Sequence, residues 1–401
     1  MSAMAGNARL FVAALMLAAG LAQAQETLRP EIGKPLQAAQ ELLKEGKYKD
    51  ALGKVREADA VSDRTPYENY ILDRMRGSAA AGAGDDATAT RSFEAVLTSG
   101  RLPTAEKLQI LEAIANVWYR AKDYAKAIEW SQRYSKEGGS SEQMNSLQAS
   151  AHYLSGDYAG LVRDMQQKVQ AVEQSVPLVD ESTLRMLAAS YAKLKDDAGY
   201  MSTLEKLLIH HPKKDYWAEM LARIQNKPGF SNRLVLDVYR LQIVTGTLNE
   251  PAQYLEMAEL ALQDGLPAEA RKVVEAGYAA GKLGTGAEAG RHKRLRDMAN
   301  RQAAEDEKSL NADVIGRNAE ALVSTGQALV SVGRVDEGIE LIDKGIAKGG
   351  LKHAEEAKLH LGQAYLIGSN KSKAIEVFKS IKGADGVGDL ARLWAIQASH
   401  S

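Results

Sequence analysis

A recurrent spacing of small and aromatic residues leaves this chain few folds to choose from. Its clearest copy is Leu361-Gly362-Gln363-Ala364-Tyr365, followed by Ala374 and Phe378. Leu361 and Tyr365 are four apart, as are Ala374 and Phe378, so each pair shares one face of a helix. Gly368-Ser369-Asn370 separates the two helices. The copy therefore predicts two helices joined by a tight turn, with a small residue on each where they approach.

Less regular copies fill the rest of the chain. Short turns recur at Gly46-Lys47-Tyr48, Gly84-Asp85-Asp86, Lys122-Asp123-Tyr124, Gly156-Asp157-Tyr158, Lys195-Asp196-Asp197, Gly265-Leu266-Pro267 and Gly333-Arg334-Val335. Alanine follows the turn at Ala51, Ala89, Ala127 and Ala374. Leu111, Ile114, Ala115 and Trp118 form an i, i+3, i+4, i+7 stripe. The acidic residues at the turns suit helix N-caps. Asn249-Glu250-Pro251 is a helix start with a polar cap and proline at the first turn. Glu26–Lys34 is expected to be a polar lead before a first helix at Gln37–Lys44, and Arg291–Leu310 a polar helix outside the pattern, either an insertion or a degenerate copy within 284–316.

The Leu-Gly-x2-Tyr…Ala-x3-Phe spacing and the Gly-Lys-Tyr-x2-Ala turn resemble the tetratricopeptide repeat. The resemblance implies an all-α fold, an α-solenoid (a right-handed superhelix) of about eight or nine such helix pairs. One pair has too little core to stand alone, and stacked pairs bury a continuous stripe. The sharp break at Asn226-Lys227-Pro228-Gly229-Phe230 suggests two superhelical halves, 31–227 and 232–401, with Leu390–Ala398 as a capping helix.

Composition agrees with helices. Alanine is abundant, aromatics are 6% of residues and there are only 9 prolines, a balance that favours helix over sheet. A net charge of −1 on 401 residues lacks the basic excess of a nucleic-acid-binding protein. There is no cysteine, which excludes disulfides and a lipidated cysteine. Arg9, the apolar run Leu10–Leu21 and Ala22-Gln23-Ala24 are expected to be a secretory signal peptide, residues 1–24, cleaved after Ala24. The run is shorter than a transmembrane helix, and no later stretch is long enough for one. A periplasmic location is the expectation that follows.

Catalytic signatures are missing. There is no H-E-x-x-H, G-x-S-x-G or Walker A sequence. His210-His211 before Pro212 is expected to be structural, and His353 and His360, seven apart, to lie on a solvated face. Arg291–Arg296 is the densest basic run, either a contact for an acidic partner or a face balanced by Glu305, Asp306 and Glu307. No cofactor or metal is expected, and the chain is expected not to be an enzyme.

In tetratricopeptide proteins the first helices of successive pairs line a groove that takes a peptide. Carried over to this chain, the resemblance places Asn116, Tyr119, Arg120, Ser150, Tyr153, Arg185, Ala189 and Lys193 on a peptide-binding groove, a lining of tyrosine and arginine that suits protein recognition. The implied role is a periplasmic scaffold or adaptor for a protein or peptide partner in the cell envelope. More narrowly, the layout and Pro212-Lys213-Lys214-Asp215-Tyr216-Trp217 resemble proteobacterial periplasmic repeat proteins associated with TonB-linked transport. The alternatives are a chaperone or assembly factor for outer-membrane or surface-polymer biogenesis, and an enzyme carried on a helical scaffold. Oligomeric state is left open by the sequence.

Overall fold

The eight turns above share one backbone geometry, and it sets the fold. Each places a residue with positive φ just past a helix end: Gly46, Gly84, Lys122, Gly156, Lys195, Gly265, Gly333 and Ser369. The next N–H then reaches back to the last turn, as Asp123 N–H does to Trp118 O (3.0 Å), Asp196 N–H to Tyr191 O (3.0 Å) and Asn370 N–H to Tyr365 O (2.8 Å). This bond closes the first helix of each pair and reverses the chain within two residues. The following Asp or Asn caps the second helix. Asp85, Asp123, Asp196 and Asn370 each accept from the backbone N–H three residues on.

The computed structural model describes residues 27–175, 178–310 and 318–400. The expected signal peptide and Pro177 lie outside them. The described residues form twenty α-helices and one short 3₁₀ turn, with no strand. The fold is thus all-α, of the solenoid class, and nine helix pairs can be traced among these helices.

The first compact unit ends at Gln167. It holds α1 (Pro30–Lys44), α2 (Tyr48–Asp59), α3 (Pro66–Ala83), α4 (Asp86–Thr98), α5 (Thr104–Arg120), α6 (Tyr124–Lys136), α7 (Glu142–Ser155) and the start of α8 (Tyr158–Ser175). Its core joins Leu36, Val55, Leu72, Phe93 and Ile114, all buried. Small residues sit where helices cross, and a Cβ added at Gly77 would meet the Phe93 ring at 2.6 Å. Contrary to expectation, α1 begins at Pro30 and runs through Pro35. Pro30 occupies the first turn, where no N–H is needed. The stripe Ile32, Leu36, Ala39, Leu43 is buried, and that burial offsets the one backbone bond Pro35 cannot make. The α3 start is fixed by a capping box between Thr65 and Glu68.

The second unit is Lys168–Ser401. Its helices are α9 (Glu181–Leu194), α10 (Asp197–His210), α11 (Lys214–Gln225), α12 (Val235–Thr245), α13 (Pro251–Gln263), α14 (Pro267–Ala279), α15 (Ala289–Ser309), α16 (Ala319–Ser331), α17 (Val335–Lys348), α18 (Ala354–Ile367), α19 (Lys371–Ser380) and α20 (Val387–His400). α15 packs on α14 and α13 through His292, Leu295, Ala299 and Ala303, so it continues the stack as a single helix. α16 and α17 touch backbone to backbone, with Gly326, Gly338 and Gly345 between them. α20 covers α19, and Trp394 stacks on Phe378 at 6.1 Å.

This unit also closes on itself. Ser231 N–H donates to Asp385 O at 2.9 Å, Lys227 Nζ bonds Asp389 at 2.8 Å, and the Arg233 guanidinium bonds both Asp385 and Glu356. Arg392 on α20 reaches Glu205 on α10 at 3.2 Å. The 226–230 break, expected to divide two halves, therefore lies inside one unit with its flanks tied to the C-terminal helix.

Candidate functional site

The residues expected to line a groove fall on three first helices. On α5, Asn116 donates its side-chain amide back to Glu112 O at 2.9 Å, and Tyr119 lies edge-on to Tyr124 at 5.7 Å. Arg120 donates to Ala81 O at 3.0 Å, which ties it to the preceding pair. On α7, Ser150 is half-buried, while Tyr153 is 44% exposed and edge-on to Tyr158. Leu154 beside it is also exposed. These five positions belong to the first unit. Arg185, Ala189 and Lys193 are exposed on α9, in the second unit.

The second unit holds a constellation that the sequence did not announce. Asp237 of α12 is almost wholly buried. It accepts from Arg240 Nη1 at 2.8 Å and from Gln363 Nε2 at 3.0 Å, and His360 Nε2 lies 3.2 Å away. Arg240 in turn grips Glu269 of α14 with two bonds of 2.7 Å. Gln327 of α16 contacts the other ring nitrogen of His360. Burial alone would raise the Asp237 carboxyl, but the charges of His360 and Arg240 outweigh it and hold that carboxyl well below the usual range. Burial likewise works against the Arg240 cation, and Glu269 and Asp237 more than offset it. So the network fixes an ionised carboxylate inside the unit. It joins residues 123 to 126 positions apart in the chain.

That network forms one wall of a half-open cavity of about 640 Å³ among α12, α13, α14, α16, α17, α18 and α20. The rest of the lining is mostly aliphatic, with Ile243, Val244 and Ile367 still reachable by solvent and Trp394 buried. Asp237 and Arg240 are three apart on an apolar helix, which was the one sequence signal, and their other partners are distant in the chain. His360, expected on a solvated face, is largely covered.

Other expected features resolve as structural. His211 bonds Val179 O at 2.6 Å and His210 sits 3.7 Å from Glu173. The basic run of α15 is balanced by residues other than those expected: Arg291 pairs with Glu259, Arg296 with Glu275 and Lys293 with Asp297. Glu307 instead pairs with Arg271. Among the described residues no helix is long and apolar enough to cross a membrane, and no three His, Cys, Asp or Glu side chains are placed to hold a metal.

The tetratricopeptide-repeat family model matches residues 74–142 and 316–388. No curated protein matches this chain. Solved structures similar to it include the tetratricopeptide-repeat domain of P58(IPK), at 13% identity, 92% coverage of this chain, 97% of that chain and a TM-score of 0.22. Yeast Tom70 is similar at 12% identity, covering 92% of this chain and 96% of that one, with a TM-score of 0.20. At those scores neither likeness adds to what the helices themselves show.

Proposed function

We propose, from the premise that this chain carries tetratricopeptide repeats, that it is an exported, non-enzymatic scaffold that gathers other proteins of the bacterial cell envelope, in connection with TonB-dependent transport. The coarse part follows from the architecture: a repeat of helix pairs presents many similar helix faces, and such faces serve protein–protein recognition. The observation that carries it is Tyr153 with Leu154, a large aromatic and a large aliphatic left exposed side by side on the first helix of a pair. Tyr119 and Arg120 on the preceding first helix supply the residue types that anchor protein contacts.

Export rests on Arg9, the apolar run after it and the Ala22-Gln23-Ala24 site. The TonB connection rests on the layout and on Pro212–Trp217. Fractionation of cells making a C-terminally tagged chain tests the first: the expected product is periplasmic and begins at Gln25, and an unprocessed product in the cytoplasm would refute it. Affinity capture from the periplasm tests the second. Recovery of a TonB-system protein that Tyr153→Ala reduces supports the reading, and recovery of outer-membrane assembly intermediates alone would favour a chaperone.

A further inference from the structure

We propose that the cavity of the second unit is a binding site for a small amphipathic carboxylate, an aliphatic body ending in one anionic group. This goes beyond protein scaffolding and does not depend on it. The size fits, because the cavity holds about 640 Å³. That volume lies in the middle of the range occupied by small-molecule sites.

The body of the ligand is read from the aliphatic lining. Ile243 is 39% exposed, Val244 47% and Ile367 60%. Scattered exposed aliphatics need no explanation. These three come from α12 and α18, more than a hundred residues apart, and converge on one concave surface. An aliphatic chain lying there would remove all three from water at once.

The head group is read from the polar and charged side chains of the lining. Trp394, only 5% exposed, adds an aromatic side chain to the lining. Gln397, three residues on, lines the same cavity. The sign of the charge follows from how the charged groups of the wall are paired. Arg240, with His360 beside it, meets the two carboxylates Glu269 and Asp237. Lys272, at the rim, donates to the backbone carbonyl of Ser331, at 2.8 Å, and has no carboxylate of the described residues within ion-pairing distance. Glu269, the acidic group of the lining, is already held by Arg240 with both oxygens. Lys272 is therefore the lining cation that meets no carboxylate of the described residues, which favours an anionic head over a neutral or cationic one.

The test is calorimetric titration of the purified full chain with decanoate below its micelle-forming concentration, beside decanol and decyltrimethylammonium. The expected result is saturable one-to-one binding of decanoate, about tenfold weaker binding of decanol, as loss of a charge-assisted contact implies, and weaker binding still of the cation. Lys272→Gln should weaken decanoate about tenfold and leave decanol unchanged. Ile367→Glu, at a position exposed enough not to threaten folding, should abolish decanoate binding while the thermal melt stays as in the wild type. Trp394→Phe should remove any decanoate-dependent fluorescence change. Absence of saturable binding, equal affinity for all three head groups, or full affinity in Ile367→Glu would overturn the proposal. So would binding of N-acetyl-leucyl-leucine with no binding of decanoate, which would assign the cavity to a peptide C-terminus.

Discussion

Replacing Gly338 by alanine puts the small-residue packing of the hairpins to a quantitative test, because two effects of opposite sign meet at one atom. Alanine is the better helix former by about 0.8–1 kcal/mol, so in an open helix the change would stabilise. At Gly338 the added Cβ would stand 2.5 Å from Gly326 O, 2.5 Å from Val330 Cγ2 and 3.0 Å from Val330 N. Two of those three atoms are backbone, so relief requires α16 and α17 to part rather than a side chain to turn. A Cβ at Gly345 would meet Ala319 O at 2.9 Å, so the helices are in close contact a further two turns along. Overpacking of this kind costs about 1–3 kcal/mol, and the backbone obstruction places it in the upper part of that range. The net expectation is destabilisation by about 1–2 kcal/mol after the propensity gain. Gly53 in α2 is the control, since a Cβ there meets nothing within 4 Å. Gly53→Ala should therefore stabilise by about 0.5–1 kcal/mol. Urea unfolding followed by far-ultraviolet circular dichroism gives the two values. Hydrogen exchange of the α16 and α17 peptides shows whether the loss is local, since two compact units need not unfold together. A Gly338→Ala protein as stable as the wild type would refute the close-approach account.

Three further outcomes follow from the same geometry. Lys122 is held in the left-handed region, with positive φ. That region costs a side-chain-bearing residue about 1 kcal/mol, so Lys122→Gly should raise the urea midpoint slightly, and an unchanged or lowered midpoint would count against the turn geometry. Glu68 is gripped by the Arg29 side chain and by the Thr65 and Arg29 backbone, which lowers its carboxyl from 4.5 to about 2. A depressed carboxyl contributes stability that is complete above its unfolded value and is lost as pH falls toward its folded one; Glu68→Gln should lack that acid-dependent part of the first unit's unfolding profile. Arg240→Leu leaves Asp237 buried without its nearest cation. Loss of one partner of a buried pair costs about 3–5 kcal/mol, measurable as a lower midpoint for the second unit, and a loss under about 1 kcal/mol would mean that His360 and Gln363 suffice.

What was legible in the sequence was local chemistry. The turn at Lys122-Asp123 could be found because a chain reversal and an N-cap are written in adjacent residues, and the structure shows both there. The stripe Leu111, Ile114, Ala115 is buried for the same reason: helical periodicity is a property of one segment. What was not legible depends on residues far apart. Nothing in Arg233 says that it will meet Asp385, 152 positions later, and nothing in Asp237 names His360 or Gln363 as partners. The closure of the second unit and the cavity inside it arise only once the helix pairs have stacked. The start of α1 was misplaced because two prolines argue against a helix by propensity, while one lies in the first turn and the other is outweighed by a buried stripe. The basic run of α15 suggests either an acidic partner or its own acidic end, whereas Glu259 and Glu275 on α13 and α14 lie closer in space.

The scaffold reading is tested most directly by photo-crosslinking in living cells, with a photoreactive amino acid placed singly at Tyr119, at Tyr153 or, as the control, at Glu129 on the second helix of a pair. The account predicts that the two first-helix positions capture the same defined envelope protein and that Glu129 does not. Capture at Glu129 alone, or at none of the three, would contradict it.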